Sequence, residues 1–196
     1  MAAGYSGWYV TFLHVVLLKV GIFSYRLIFV IMNVALSYFL YEILSEFKWL
    51  SKLDKLFICL LVSFVPYFEV GHYLINLPYT LNYFLFFFAF YLYTVWKCNL
   101  NRVQYFIILS MFFISFIVNS LVSYYAIFLL YLFWLGYKSN ESFWYNVKFY
   151  FLANYLFFFL PLFFAGIKFI FFVPNGLYVG YNNISLNGDF FINLYG

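Results

Sequence analysis

Glu69 and His72 stand three residues apart in the stretch FVPYFEVGHYLINLPYT, Phe64 to Thr80. On a helical turn that spacing puts a carboxylate and an imidazole on one face. Such a pair can orient or deprotonate a hydroxyl, so both residues are candidate catalytic groups. Pro66 and Pro78 fence the stretch, and Asn76 adds a hydrogen-bonding side chain that could bind substrate, with Asn82 close behind. The plain alternative is a polar loop joining two apolar helices, and spacing alone leaves both open.

Other chemistry is sparse. His14 is the only further histidine, 58 positions from His72, and two lone histidines do not define a metal site. Cys59 and Cys98 lack metal-ligand spacing, and neither suggests a disulfide. No phosphate-cradling Gly loop, HExxH or GxSxG is present. Asn33 and Ser37, four apart, suit a polar contact between helices. Asn119, Ser120 and Ser123 in SFIVNSLVSYY form either a polar cavity floor or a turn, with Asn119 a substrate-binding candidate. Lys168 lies near the end of an apolar run, placed to snorkel to an interface or to meet a phosphate.

The elements that must position these groups are set by composition. Hydrophobic residues are 68% of the chain and charged residues 8%, with a mean hydropathy of +0.97. Globular domains in water run at about 45–50% apolar and about 25% charged. So much apolar surface calls for lipid as the solvent. AT-rich codons specify Phe, Tyr, Ile, Asn and Lys, so the 30% aromatic content is weighed as coding bias before it is read as function. The net charge of +4 is spread along the chain rather than gathered in a patch, so nothing suggests nucleic acid as a partner. The first seven residues, MAAGYSG, carry no basic residue ahead of the first apolar run, so no cleavable signal peptide stands out.

Apolar runs predict an all-α, polytopic membrane protein with about seven transmembrane helices. They are Trp8–Val20, Leu27–Leu44, Leu56–Phe68, Leu77–Trp96, Val103–Val118, Leu121–Leu135 and Phe149–Val173. Residues 1–173 form the transmembrane domain, and 174–196, rich in Asn and Gly, reads as an extracytoplasmic loop or tail that breaks off in mid-pattern. Lys48, Lys52, Lys55, Lys97, Arg102, Lys138 and Lys148 fall on one side of this layout, and Lys19, Arg26 and Lys168 on the other. The basic-rich side is cytoplasmic by the usual bias, placing the N-terminus inside, the C-terminus outside, and Glu69 and His72 at the outer face. The mixed-charge run from Glu42 to Lys55 reads as a solvated connection. The inner or plasma membrane fits best, with an organellar membrane as the alternative.

Arg26-Leu27, Leu40 to Leu44, the charged turn Lys52 to Lys55, Phe64-Val65-Pro66 and Glu69 follow one another as parts of a recurring pattern. The next helix, the basic turn Lys97 to Arg102 and SFIVNSLVSYYAIFLLYLFW continue it. Over roughly 115 to 170 residues the chain resembles multispan GT-C-type membrane glycosyltransferases, which use polyprenyl-phosphate-linked sugars (the mannosyltransferase-like proteins among them). The resemblance implies transfer at the outer membrane face and a lipid-linked sugar as partner. No cofactor motif is identified; a divalent metal is what an active enzyme of this type would call on. Arg26 is then a candidate for the lipid phosphate. One departure matters: the pattern places a catalytic Asp in the first outer loop, but Lys19 to Arg26, KVGIFSYR, has no carboxylate. A fragment of such an enzyme is one consequence. A non-catalytic structural subunit of a larger membrane complex, organellar respiratory complexes included, is the second reading, and a lipid-linked sugar transporter the third.

Overall fold

The computed structural model describes residues 8–64 and 77–171. Every regular element among them is a helix: α1 (Trp8–Val20), α2 (Ile22–Ser45), α3 (Lys52–Phe64), α4 (Leu77–Trp96), α5 (Arg102–Ser115), α6 (Asn119–Gly136), α7 (Phe143–Ala153) and α8 (Tyr155–Phe171). Six of the predicted apolar runs correspond to α1–α6. The seventh is corrected: it begins at Phe143 and is two helices, bent by 65° at Asn154. Asn154 caps α7, its Nδ2 donating to the Tyr150 carbonyl at 3.2 Å, while its own carbonyl accepts from the Phe157 amide at 2.9 Å. Asn154 itself leaves helical geometry, with φ −121° and ψ 22°, and there one apolar run becomes two helices. The tail 174–196 lies outside the described residues.

By length and composition, one described helix can cross a membrane, Phe23–Ser45 in α2, and the bent α7–α8 pair makes a second if taken as one span. The helices α1 and α3 have 13 residues each, or about 20 Å at 1.5 Å per residue, short of a roughly 30 Å hydrocarbon core. Seven crossings are therefore not shown by helix length. The surface of α2 is nonetheless informative. No charged residue falls between Arg26 and Glu42, and only 28% of its apolar window is buried within the bundle. Phe23, Val30, Ile31, Val34 and Tyr38 are exposed, an outer surface that fits lipid rather than water.

Contacts between helices fix their directions. Phe39 of α2 stacks on Phe88 of α4, and further on Lys97 at the end of α4 pairs with Glu46 just past α2, so α2 and α4 run parallel. Tyr83 of α4 meets Ser120 of α6 at 3.3 Å, and Phe90 meets Tyr131, so α6 runs the same way. The helices α5 and α8 return: Phe86 meets Phe112 while Tyr93 and Tyr105 both pack on Phe157, and Phe116 packs on Phe164. The turns 45–51, 97–101 and 137–142 thus share one end of the bundle. Around them cluster Glu42, Glu46, Lys48, Lys52, Asp54, Lys55, Lys97, Arg102, Lys138, Glu141 and Lys148. Of the described charged residues, Lys19, Arg26 and Lys168 lie elsewhere.

The core sits between α4, α5, α6 and α8 and is mostly aromatic. Phe112 and Phe128 lie 4.6 Å apart between ring centroids, and Phe86, Phe90 and Phe157 pack edge-on around them at 5.0–5.2 Å. Edge-to-face contacts of this kind add about 0.5–1.5 kcal/mol each beyond the area buried. Pro161 sits inside α8 and has no N–H to give the carbonyl of Phe157, four residues back. The buried Tyr125 hydroxyl donates to that carbonyl at 3.0 Å, so the freed acceptor is satisfied from the neighbouring helix.

A candidate groove between three helices

Two adjoining hollows run along α4, flanked by α2 and α6, and share Phe87 and Tyr124 as common wall. The first, of about 270 Å³, has Asn33, Thr80 and Tyr83 in its lining, with Leu36 and Val62. The second, of about 420 Å³, is lined by Leu40, Ile43, Phe86, Phe90, Ile127 and Leu130 among others, and ends at Phe47, Tyr131 and Trp134. Its size falls within the roughly 300–1,000 Å³ span of ligand sites. The lip on the α6 side is open, since Ile127, Leu130 and Trp134 are 57%, 67% and 48% exposed.

Local sequence explains both ends. At the first, α4 begins at Leu77-Pro78, where proline is tolerated in the opening turn, and the buried Asn82 donates from Nδ2 to the Pro78 carbonyl at 2.7 Å. Asn33 donates to the Phe29 carbonyl at 2.8 Å, and Ser37 to the Asn33 carbonyl at 2.8 Å. Both therefore bond back along their own helix, a use their four-residue spacing also permits. At the far end, the Lys97 ammonium donates to Glu46 Oε2 and, at 3.3 Å, to the Tyr131 hydroxyl. Phe47 closes over this corner with its ring 5.2 Å from that of Trp134.

Among the predicted site residues, Arg26 is exposed on the second turn of α2, near the end of the bundle where Leu17, Tyr25 and Leu77 pack together. Asn119 opens α6, next to Ser120, which reaches Tyr83; the Asn119 side chain is outside the described set. Glu69, His72 and Asn76 also lie outside the described residues, immediately before α4 in sequence. His14 is in α1, with its side chain outside the described set.

No protein-family model, curated protein or solved structure matches the chain. Its chemistry is therefore argued from its own residues. Among the described residues, no three of the His, Cys, Asp and Glu side chains come together to hold a metal ion. The ion pair Glu46–Lys97 was not anticipated, since the sequence shows these residues only as parts of two separate charged turns, 51 positions apart. The Asn146 clamp was missed too. Buried at 3% exposure, it accepts the Lys138 amide and donates to the Lys138 carbonyl, both at 2.9 Å, bracing the turn into α7.

Proposed function

We propose that the chain is a multispan membrane protein that handles a polyprenyl-phosphate-linked sugar, in the manner of the GT-C-type glycosyltransferases it resembles. In this reading the bundle crosses seven times, with α7 and α8 as one bent crossing and the charged turns facing the cytoplasm. The observation that carries it is the groove. Away from the charged end it offers Asn33, Thr80 and Tyr83, and beyond them its walls are apolar. That lining suits a ligand with a polar head and a long apolar chain. Thr80 lies in the first turn of α4; Glu69, His72 and Asn76 precede that turn in sequence and are proposed as the catalytic and substrate-binding groups, with Arg26 and Asn119 as further contacts to substrate.

A second reading, a non-catalytic membrane subunit, is favoured by the charge map. The described carboxylates, Glu42, Glu46, Asp54 and Glu141, all lie at the opposite end from that mouth. One experiment separates the two. The protein is reconstituted with undecaprenyl phosphate in excess phospholipid, and the retained lipid is read by native mass spectrometry. Lipid-linked sugar handling predicts selective retention, weakened roughly tenfold in Thr80→Val/Tyr83→Phe by the loss of two hydrogen-bonding groups. Loss of transfer from a lipid-linked sugar in Glu69→Ala would then mark an enzyme. Retention no better than that of phospholipid, together with co-purifying subunits, would establish the second reading instead.

A further inference from the structure

We infer that the apolar half of the groove, between α2 and α6, is a site for an anionic phospholipid from the leaflet on the charged side, its acyl chain on the groove wall and its phosphate on Lys97. The inference rests on the membrane-spanning reading above but not on the sugar. Its headgroup lies at the opposite end of the groove from Asn33, Thr80 and Tyr83, and its acyl chain competes with a polyprenyl chain for the apolar wall between them.

Three observations converge on that occupant. The hollow is apolar along its length, and its lip residues Ile127 and Leu130 are more than half exposed, so a chain can enter sideways without crossing a polar barrier. Its end carries a cation. Tyr131 lines the hollow, the Lys97 ammonium lies 3.3 Å from the Tyr131 hydroxyl, and its nitrogen is 5.9 Å from the centre of that ring. An ammonium has three N–H groups. Glu46 and Tyr131 account for two, which leaves a third for a phosphate oxygen. The surroundings also favour an anion. Lys48, Lys52, Lys55, Arg102, Lys138 and Lys148 share this end with Glu42, Asp54 and Glu141, an excess of positive charge of the kind that draws anionic headgroups. Trp134, half-exposed at the rim, has the amphipathic ring that settles at headgroup depth.

Glu46 acts as a stand-in anion in this arrangement. It neutralises Lys97 when no headgroup is present and competes with the phosphate when one arrives. The two partners of one ion pair therefore have opposite effects on lipid binding, although removing either breaks the pair equally. A purely structural latch would show no such opposition.

The test uses the full chain in nanodiscs, with Trp134 as the only tryptophan (Trp8, Trp49, Trp96 and Trp144→Phe), and reads quenching by phospholipids brominated on the acyl chain. Brominated phosphatidylglycerol should quench Trp134 at about fivefold lower mole fraction than brominated phosphatidylcholine, the worth of one basic side chain against an anionic headgroup. Lys97→Gln should erase that difference and Glu46→Gln should enlarge it. Leu130→Trp, read by native mass spectrometry of retained phosphatidylglycerol in the otherwise native sequence, should lower retention by filling the hollow while leaving the ion pair in place. Equal quenching by the two lipids in the parent would overturn the site, as would equal effects of Lys97→Gln and Glu46→Gln, or a cross-linkable second copy seated over Trp134. A chain that had not inserted would be recognised separately, because neither brominated lipid would then quench.

Discussion

At the scale of single residues, the most consequential choice is a proline inside an apolar helix. Pro161 removes one donor from α8, and the loss falls on the Phe157 carbonyl, fully buried among rings. In lipid such a group has no water to turn to. The Tyr125 hydroxyl meets it at 3.0 Å, tying α6 to α8 where the two helices share the aromatic core. Tyr125→Phe should therefore destabilise the bundle by about 0.6 kcal/mol, the average for hydrogen bonds between membrane helices, and by no more than about 1.7 kcal/mol. Pro161→Ala restores an N–H for the same carbonyl, so in that background Tyr125→Phe should be nearly neutral. Unfolding of the four proteins in mixed micelles closes the cycle. Equal losses in both backgrounds would show that the hydroxyl does not serve the carbonyl freed by Pro161.

At the scale of elements, the helices entering from the charged end start on explicit side-chain caps. Asn101 and Gln104 form a reciprocal capping box at the start of α5, the amide of each accepted by the other's side chain at 2.8 and 3.0 Å. Ser51 and Asp54 do the same for α3: Asp54 Oδ2 accepts from the Ser51 hydroxyl at 2.7 Å and from its amide at 3.1 Å. The hydroxyl bond, then the amide bond, holds the Asp54 carboxyl below its ordinary value. Because the folded value is the lower one, the cap's contribution is present above the ordinary Asp range and is lost as the pH falls through the depressed one. An NMR titration of the Asp54 carboxyl should give a midpoint below that of an ordinary Asp, and Ser51→Ala should move it back up; an unmoved midpoint would remove Ser51 as the cause. These starts were missed in the sequence, although S-x-x-D and N-x-x-Q stand there; six apolar runs were legible as six helices from their length and apolar character. The break at Asn154 was not, since an Asn in an apolar run caps a helix or lies along it depending on what packs there. Nor was the pairing of Glu46 with Lys97, which arises only once α2 and α4 run parallel. Glu69 and His72 lie outside the described residues, and their pairing rests on their spacing alone.

At the scale of the whole molecule, the segregation of charge predicts which end of the bundle faces the cytoplasm. The directions of α2, α4 and α6 come from ring and hydrogen-bond contacts, not from counting lysines, yet they gather the 45–51, 97–101 and 137–142 turns at one end. Geometry gathers the basic-rich turns at one end, and the basic-residue bias predicts that this end faces the cytoplasm. Cys98 is exposed in the second of these turns and serves as a native probe. In a Cys59→Ala background, Cys98 and Ser139→Cys should react with a membrane-impermeant maleimide from the cytoplasmic side alone. In a protein lacking both native cysteines, Val20→Cys, 72% exposed beside the Gly21 turn that joins α1 to α2, should react from the other side alone. Labelling of Cys98 and Ser139→Cys from opposite sides would mean that α5 and α6 do not cross as a pair. Labelling of all three from one side would mean that α2 lies along the membrane rather than through it. The expected pattern requires α2 to cross, since Val20 and Cys98 are linked through α2 by the Glu46–Lys97 pair at its far end.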